Sequence, residues 1–293
     1  MAALALTLAP GAPAATIEVR PGVNAIDKAL DMARGGDLLR VHDGVYRESF
    51  TVDKRVRIRG VGGRPLIDAR CRSRTAIKVV SGGVKLAHLK VVGAAKHPSG
   101  LFPSEVDVQS VRSGIIEDLV VQDTCGGIDE GAEYGINVFN SGHVEVIGNQ
   151  AAGGFHDAGI YVGGITNTGD GVLRVARNAS FLNHQGIIIE NSFGPDVRIR
   201  VAHNNVHHNT IPGEFHEDTG IFINNSDRVR LRDNTVRRNG HFGVNVTQGS
   251  DDNALVENVI TDNPVDLNND GTGNCGSGNV IGSRAGTPLS RCG

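Results

Sequence analysis

The sequence predicts an all-β solenoid, a parallel β-helix with a short N-terminal capping helix. Its composition, a recurring tetrapeptide and asparagines that recur in step with it carry that expectation. Of 293 residues, 40 are Gly, nine Phe, three Tyr and none Trp, so glycine stands at about twice its usual ~7% share. The chain is rich in turns and poor in rings, which directs attention to repeats. An apolar fraction of 39%, with 29 basic and 32 acidic residues, excludes a disordered tail and a strongly cationic nucleic-acid binder.

In chain order, Met1–Ala15 reads as a truncated secretory signal: an apolar stretch leads to a small-residue Ala12-Pro13-Ala14 site, with no positive n-region. It is too short to span a membrane, and no other segment is long and apolar enough. Residues 16–293 read as a single β-helix domain with no linker. Asn24 is the expected cap of a helix over Ala25–Arg34, whose Ile26, Ala29, Leu30 and Ala33 form one apolar face before Gly35-Gly36. That helix is expected to cover the open end of the core. Strand-like runs follow at Leu38–Val41, Phe50–Val52, Val56–Ile58, Ile77–Val80 and Val84–Val92.

The repeat is clearest from residue 135. Gly135-Ile136-Asn137-Val138, Gly159-Ile160-Tyr161-Val162, Gly186-Ile187-Ile188-Ile189, Gly220-Ile221-Phe222-Ile223 and Gly243-Val244-Asn245-Val246 are five strands with two inward apolar residues each. A second strand follows each, with inward pairs Val144/Val146, Leu173/Val175, Ile199/Val201, Val229/Leu231 and Asn253/Leu255. An asparagine stands just beyond it every time, at Asn149, Asn178, Asn204, Asn234 and Asn258, and in the last four copies another follows at Asn183, Asn209, Asn239 and Asn263. A unit of short strands cannot bury its face alone, so the copies must stack. Asparagine suits the turn because it tolerates left-handed backbone and because stacked amides bond along the axis. The absence of Trp argues against propeller blades.

These Gly-Ile-x-Val strands, the paired asparagines and the phrase His156-Asp157-Ala158-Gly159-Ile160-Tyr161-Val162-Gly163 resemble the right-handed parallel β-helix repeats of the pectate-lyase-like superfamily. The resemblance covers about residues 16–293. It implies a right-handed solenoid and admits polysaccharide lyases, hydrolases, epimerases and noncatalytic members, among which fold does not choose.

Cys71, Cys125, Cys275 and Cys292 form no zinc pattern. Their even number beside a signal-like start suggests disulfides; Cys71 with Cys125 and Cys275 with Cys292 is one of three connectivities, and four free thiols are the alternative.

Equivalent outward positions of stacked coils lie about 4.8 Å apart, so chemistry is read down columns. Two residues before each repeat glycine stand Glu133, Asp157, His184, Asp218 and His241, all ionisable. The outward strand position reads Asn137, Tyr161, Ile188, Phe222, Asn245, and two residues on Phe139, Gly163, Glu190, Asn224, Thr247. Together they describe a shallow groove with ring faces on its floor, suited to a sugar chain. His156, Asp157, Tyr161, His184, Glu190 and Asp218 are the candidate proton-transfer groups; Glu133, Asn137, Phe222, Asn224, His241 and Asn245 are the candidate substrate contacts. The loops Thr124–Glu133, Gly163–Gly171 and His216-Glu217-Asp218 flank the same margin. A solvated row of turn residues is the plain alternative.

On the second strand Arg174, Arg200 and Arg230 form a column, with Arg198, Arg228 and Arg232 beside it; such a stripe is more often a solvated face than an anion site. Asp266-Leu267-Asn268-Asn269-Asp270-Gly271 is similar to the start of a calcium loop, but Ser277 stands where the closing Glu belongs. No other segment suggests a metal or cofactor. The expectation is a secreted protein acting on a polysaccharide or oligosaccharide, by uronate lyase or epimerase chemistry ahead of glycoside hydrolysis. A noncatalytic carbohydrate-binding or surface-structural β-helix is the competing class; neither nucleic acid nor membrane is an expected partner.

Overall fold

The computed structural model describes residues 13–95, 103–126, 130–211 and 218–293. Residues 1–12 of the expected signal, residues 127–129 of the first flanking loop, and His216 and Glu217 lie outside them. The described chain winds as a right-handed parallel β-helix with three parallel sheets of twelve, ten and ten strands. The twelve-stranded sheet, A, holds the second strand of each repeat; one ten-stranded sheet, B, holds the short third strands; the other, C, holds the Gly-aliphatic strands.

Register explains the core. In sheet C, Ile136 pairs with Ile160, Ile160 with Ile187, Ile187 with Ile221 and Ile221 with Val244. Each of these side chains is buried and stacks on its equivalent one coil away. The repeat glycine is needed for close approach: a Cβ at Gly243 would stand 2.6 Å from both Asn263 Nδ2 and Ile260 Cγ2.

The asparagine ladder shows the expected amide stacking along the axis, but not the expected left-handed backbone at the asparagine itself. Asn149, Asn178, Asn204, Asn234 and Asn258 point inward, and the left-handed residue is the one before the ladder position. His88, Asp118, Arg177, His203, Asp233 and Glu257 hold φ from 51° to 58° there. The asparagine is selected for its amide: Asn204 Oδ1 accepts from the backbone N–H and Nδ2 of Asn178 at 2.9 and 3.0 Å, and its own Nδ2 donates to Val175 O and Asn234 Oδ1, both at 2.9 Å. A second ladder runs through Asn183, Asn209, Asn239 and Asn263.

The N-terminal helix spans Ala25–Met32, shorter than expected, and buries Ile26, Ala29 and Leu30 against the end of the solenoid. Asn24 is left-handed and makes no side-chain cap bond. Glu48, from a later turn, instead accepts the N–H groups of Ile26 and Asp27, each at 3.2 Å, which suits an anion at a helix N-terminus. The run Val84–Val92 is two strands, Val84–Ala87 and Lys90–Ala94, because His88 turns the chain left-handed between them. Disulfides join Cys71 to Cys125 and Cys275 to Cys292. No helix among the described residues is long and apolar enough to cross a membrane.

The segment read as a calcium loop is the strand Val265–Asn269. Asp266 Oδ1 accepts Asn263 N and Nδ2, both at 2.9 Å, and Oδ2 accepts Ser283 N at 2.7 Å. That carboxylate is committed to the turns, not arranged around an ion.

Candidate functional site

The outer face of sheet C is where the columns meet. Register aligns Lys78, Asp107, Asn137, Tyr161, Ile188, Phe222, Asn245 and Asn268 along it. The rings do not lie open to solvent: Tyr134, Ala158, Tyr161 and Ile188 form a small apolar cluster of their own, with Phe222 packed against it. The Tyr134 and Tyr161 ring centroids are 4.6 Å apart.

Polar groups edge this cluster in two sets. In the first, the rings of His156 and His184 have centroids 5.2 Å apart. His184 is only 2% exposed, and neither ring nitrogen has a hydrogen-bond partner among the described residues. Burial, then the neighbouring His156, holds its pKa below the usual imidazole value against the opposing pull of Asp218, so its neutral form is favoured near neutral pH.

In the second set, Tyr161 donates to Glu190 Oε2 at 2.8 Å, and Asn224 donates to Glu190 Oε1 at 2.8 Å. Thr247 donates to Asn224 Oδ1 at 2.9 Å, completing a chain across four coils. Asp157 links the two sets: it is hydrogen-bonded to Tyr134, and Gln185 Nε2 donates to its Oδ1 at 3.4 Å. Burial first, then Asp157 for Tyr134 and Glu190 for Tyr161, push both phenols far above their ordinary pKa. Both therefore stay protonated and act as donors.

The remaining candidates extend the face in both directions. The backbone carbonyl of Glu133 accepts the Asp157 backbone N–H at 3.0 Å. The His241 ring stacks on Phe242 at 4.0 Å, and its backbone N–H donates to Asp218 O at 2.9 Å. Asn245 accepts from Asn268 Nδ2 at 3.0 Å. Asn137 is buried and donates to Asp107 Oδ1 at 3.0 Å.

Tyr134, Gln185 and the outward residues of the preceding coils escaped the sequence reading of the site. Asp107 and Gln109 share a cavity of about 580 Å³ with Arg72, Arg74 and Lys78 at the N-terminal end of the same face. These coils lack the repeat glycine: Ala76 and Glu105 stand in its place, although Ile77-Lys78-Val79 and Val106-Asp107-Val108 keep the aliphatic-x-aliphatic signal. Glu105 is fully buried, and its two oxygens accept the Ala94 N–H at 3.1 and 3.2 Å. Burial pushes its pKa well up.

This architecture is that of the right-handed parallel β-helix proteins of the pectate-lyase-like superfamily. Residues 104–279 match the family model described as periplasmic copper-binding protein (NosD), and the chain belongs to that family. An alginate lyase from Paenibacillus sp. str. FPU-7 is similar at a TM-score of 0.67 and 17% identity, over 94% of this chain and 99% of the lyase. The pectate lyase Pel9A is similar at 0.66 and 12% identity, over 86% and 70%. At such identities the likeness is one of fold. No curated protein matches the chain.

Copper, named in the family description, does not fit the donors among the described residues. All four cysteines are in disulfides, and Met32 lies 68% exposed on the helix. The described residues contain no group of three or more His, Cys, Asp or Glu able to hold a metal. A copper site is built from soft sulfur ligands for Cu(I), or from several converging imidazole and oxygen donors for Cu(II).

Proposed function

We propose that the outer face of sheet C is a polysaccharide cleft and that the protein acts on an acidic glycan by uronate lyase or epimerase chemistry. The observation that carries this is His184, an imidazole kept neutral and unbonded beside the half-buried His156. A neutral imidazole accepts a proton, the first need of either reaction. In the lyase reaction the His156–His184 pair takes the proton beside the uronate carboxylate, the C–H electrons form the new C=C bond, and the glycosidic C–O bond breaks. Tyr161, held protonated, delivers a proton to the leaving oxygen, and Glu190 orients its hydroxyl. Arg72, Arg74 and Lys78 stand at one end of the face, where they bind other carboxylates of the same chain.

Asp157 and Asp218, two coils apart and so roughly 9–10 Å by strand spacing, keep inverting hydrolysis as the second reading. The near-complete burial of Tyr134, Tyr161 and His184 favours a third, a binding face without turnover. The two disulfides suit an oxidising compartment, which, with the signal-like start and the family's periplasmic description, supports a location outside the cytoplasm.

The test is incubation with polygalacturonate and with alginate, following ultraviolet absorbance of unsaturated uronates, new reducing ends and epimerised residues. The wild type is expected to give one of these products. His184→Ala and Tyr161→Phe should each lower turnover by about 10²-fold or more, the usual worth of a positioned acid or base, measured at a temperature where melts show each variant still folded. Binding without any product sinks the catalytic reading.

A further inference from the structure

We propose that the protein has a second carbohydrate site, on the outer face of sheet A, that binds a carboxylate-bearing polysaccharide through a ladder of arginines. It lies on a different sheet from the cleft above and takes from that reading only the class of polymer.

Arg174, Arg200 and Arg230 are in direct register on adjacent strands, about 4.8 Å apart. They border a cavity of about 510 Å³ whose lining holds five arginines and a single acid, Asp233. The concavity arises because Ala176 and Ala202 occupy the neighbouring positions, where longer side chains would fill it. Like charges directly opposite across strands destabilise a sheet, so the ladder carries a cost that nearby acids would be expected to offset. They do so only at its margins. Glu145 reaches Arg174 at 3.8 Å, and Asp233 and Glu257 engage Arg232 at 3.1 and 2.7 Å. Arg177, Arg200 and Arg230 have no acidic partner among the described ion pairs.

The shape selects the ligand. The ladder is one residue wide and spans three strands, roughly 10 Å, enough for two or three anionic groups of one extended chain. A nucleic-acid duplex would bring its phosphates against the rest of a surface whose net charge is −3, and duplex binding draws on many more contacts than three. Guanidinium groups in a row match carboxylates through forked hydrogen bonds.

The experiment measures fluorescence anisotropy of labelled polygalacturonate oligomers at low ionic strength on four proteins and on a fifth that combines the second and third. The four are the wild type, the front-face variant Arg74→Glu/Lys78→Glu, the ladder variant Arg200→Glu/Arg230→Glu, and Arg284→Glu/Arg291→Glu, a control with the same charge change at exposed C-terminal sites. The front-face variant and the control should retain salt-sensitive binding. Adding the ladder substitutions to the front-face variant should weaken its remaining affinity at least tenfold without altering its melt. If the front-face variant alone abolishes binding, the ladder is only a solvated stripe and the cleft reading survives. If only the ladder substitutions matter, the cleft reading loses its anionic subsites and the ladder stands. Tighter binding of duplex DNA or of phosphatidylglycerol vesicles through the same arginines would overturn the assignment to a polysaccharide.

Discussion

Replacing Asn204 by Ala tests the account of the ladder with a magnitude drawn from particular bonds. Asn204 Oδ1 accepts the backbone N–H of Asn178 at 2.9 Å and its Nδ2 at 3.0 Å. Alanine therefore leaves one buried backbone donor with no partner and one side-chain N–H unpaired, although Asn178 Nδ2 keeps Val146 O at 2.9 Å. On the opposite side, Asn234 Oδ1 retains the Asn204 backbone N–H at 3.0 Å, while Val175 O loses the Nδ2 donor it held at 2.9 Å. An unsatisfied buried donor costs about 1–3 kcal/mol, giving an expected destabilisation of about 2–6 kcal/mol for the two. Asn279→Ala removes the same two acceptor bonds from Asn258, but that site is part-buried, and water can replace them at about 1 kcal/mol or less. Urea melts followed by circular dichroism would measure both, with amide exchange at Asn178 reporting the orphaned donor. Equal losses for Asn204→Ala and Asn279→Ala would refute the reasoning, because burial would then not set the cost.

Three further outcomes follow from the charges and cross-links. Glu105, raised by burial, binds its proton more tightly when folded; its stabilisation is full below pH 4.5 and is lost as pH rises through the folded value, so Glu105→Gln should flatten that decline in melts across pH. His184, depressed by burial, has the opposite sign: its stabilisation is present above 6.5 and lost as pH falls through the folded value, and His184→Gln should remove that acid-side slope. The disulfides close spans of 54 and 17 residues, worth roughly 4 and 3 kcal/mol by loop entropy. Cys71→Ser/Cys125→Ser should lower the whole melt, whereas Cys275→Ser/Cys292→Ser should loosen only the last coil, visible as faster amide exchange at Arg284–Arg291.

The architecture was legible because stacking forces identical demands on every coil. Ile160, Ile187 and Ile221 recur because each rests on the one before, and Gly186 and Gly220 recur because a Cβ would strike the neighbouring third strand and ladder amide. Where a coil meets the same demand with another residue, the signal failed. Glu105 and Asp266 replace the glycine with a carboxylate that bonds backbone amides instead, which hid the coil of Asp107 and gave Asp266 the look of a calcium ligand. The helix cap was missed for a related reason: Glu48 comes from a distant turn, and no local pattern announces it. The candidate columns were read correctly as neighbours, but their burial was not. Whether Tyr161 faces water depends on Tyr134 one coil away and on Ile188 one coil on.

That burial bears on what the front face can do. An outward ring that packs against its neighbours is held in place, and Tyr161 is further held by Glu190, which Asn224 fixes in turn. Such a chain of contacts costs nothing to order at the moment of binding, which is the advantage of a preorganised donor. A face meant only to stay soluble would gain nothing from an imidazole with two unbonded nitrogens beneath its surface, since an unsatisfied buried polar atom costs stability. The arginine ladder of sheet A carries the same kind of uncompensated cost, there as like charge in register. Buried oxygens of Asn137, Gln185 and Asp218 on the same front face also lack partners among the described residues, so the uncompensated polar groups gather where the proposed cleft lies, as the unpaired arginines do on sheet A.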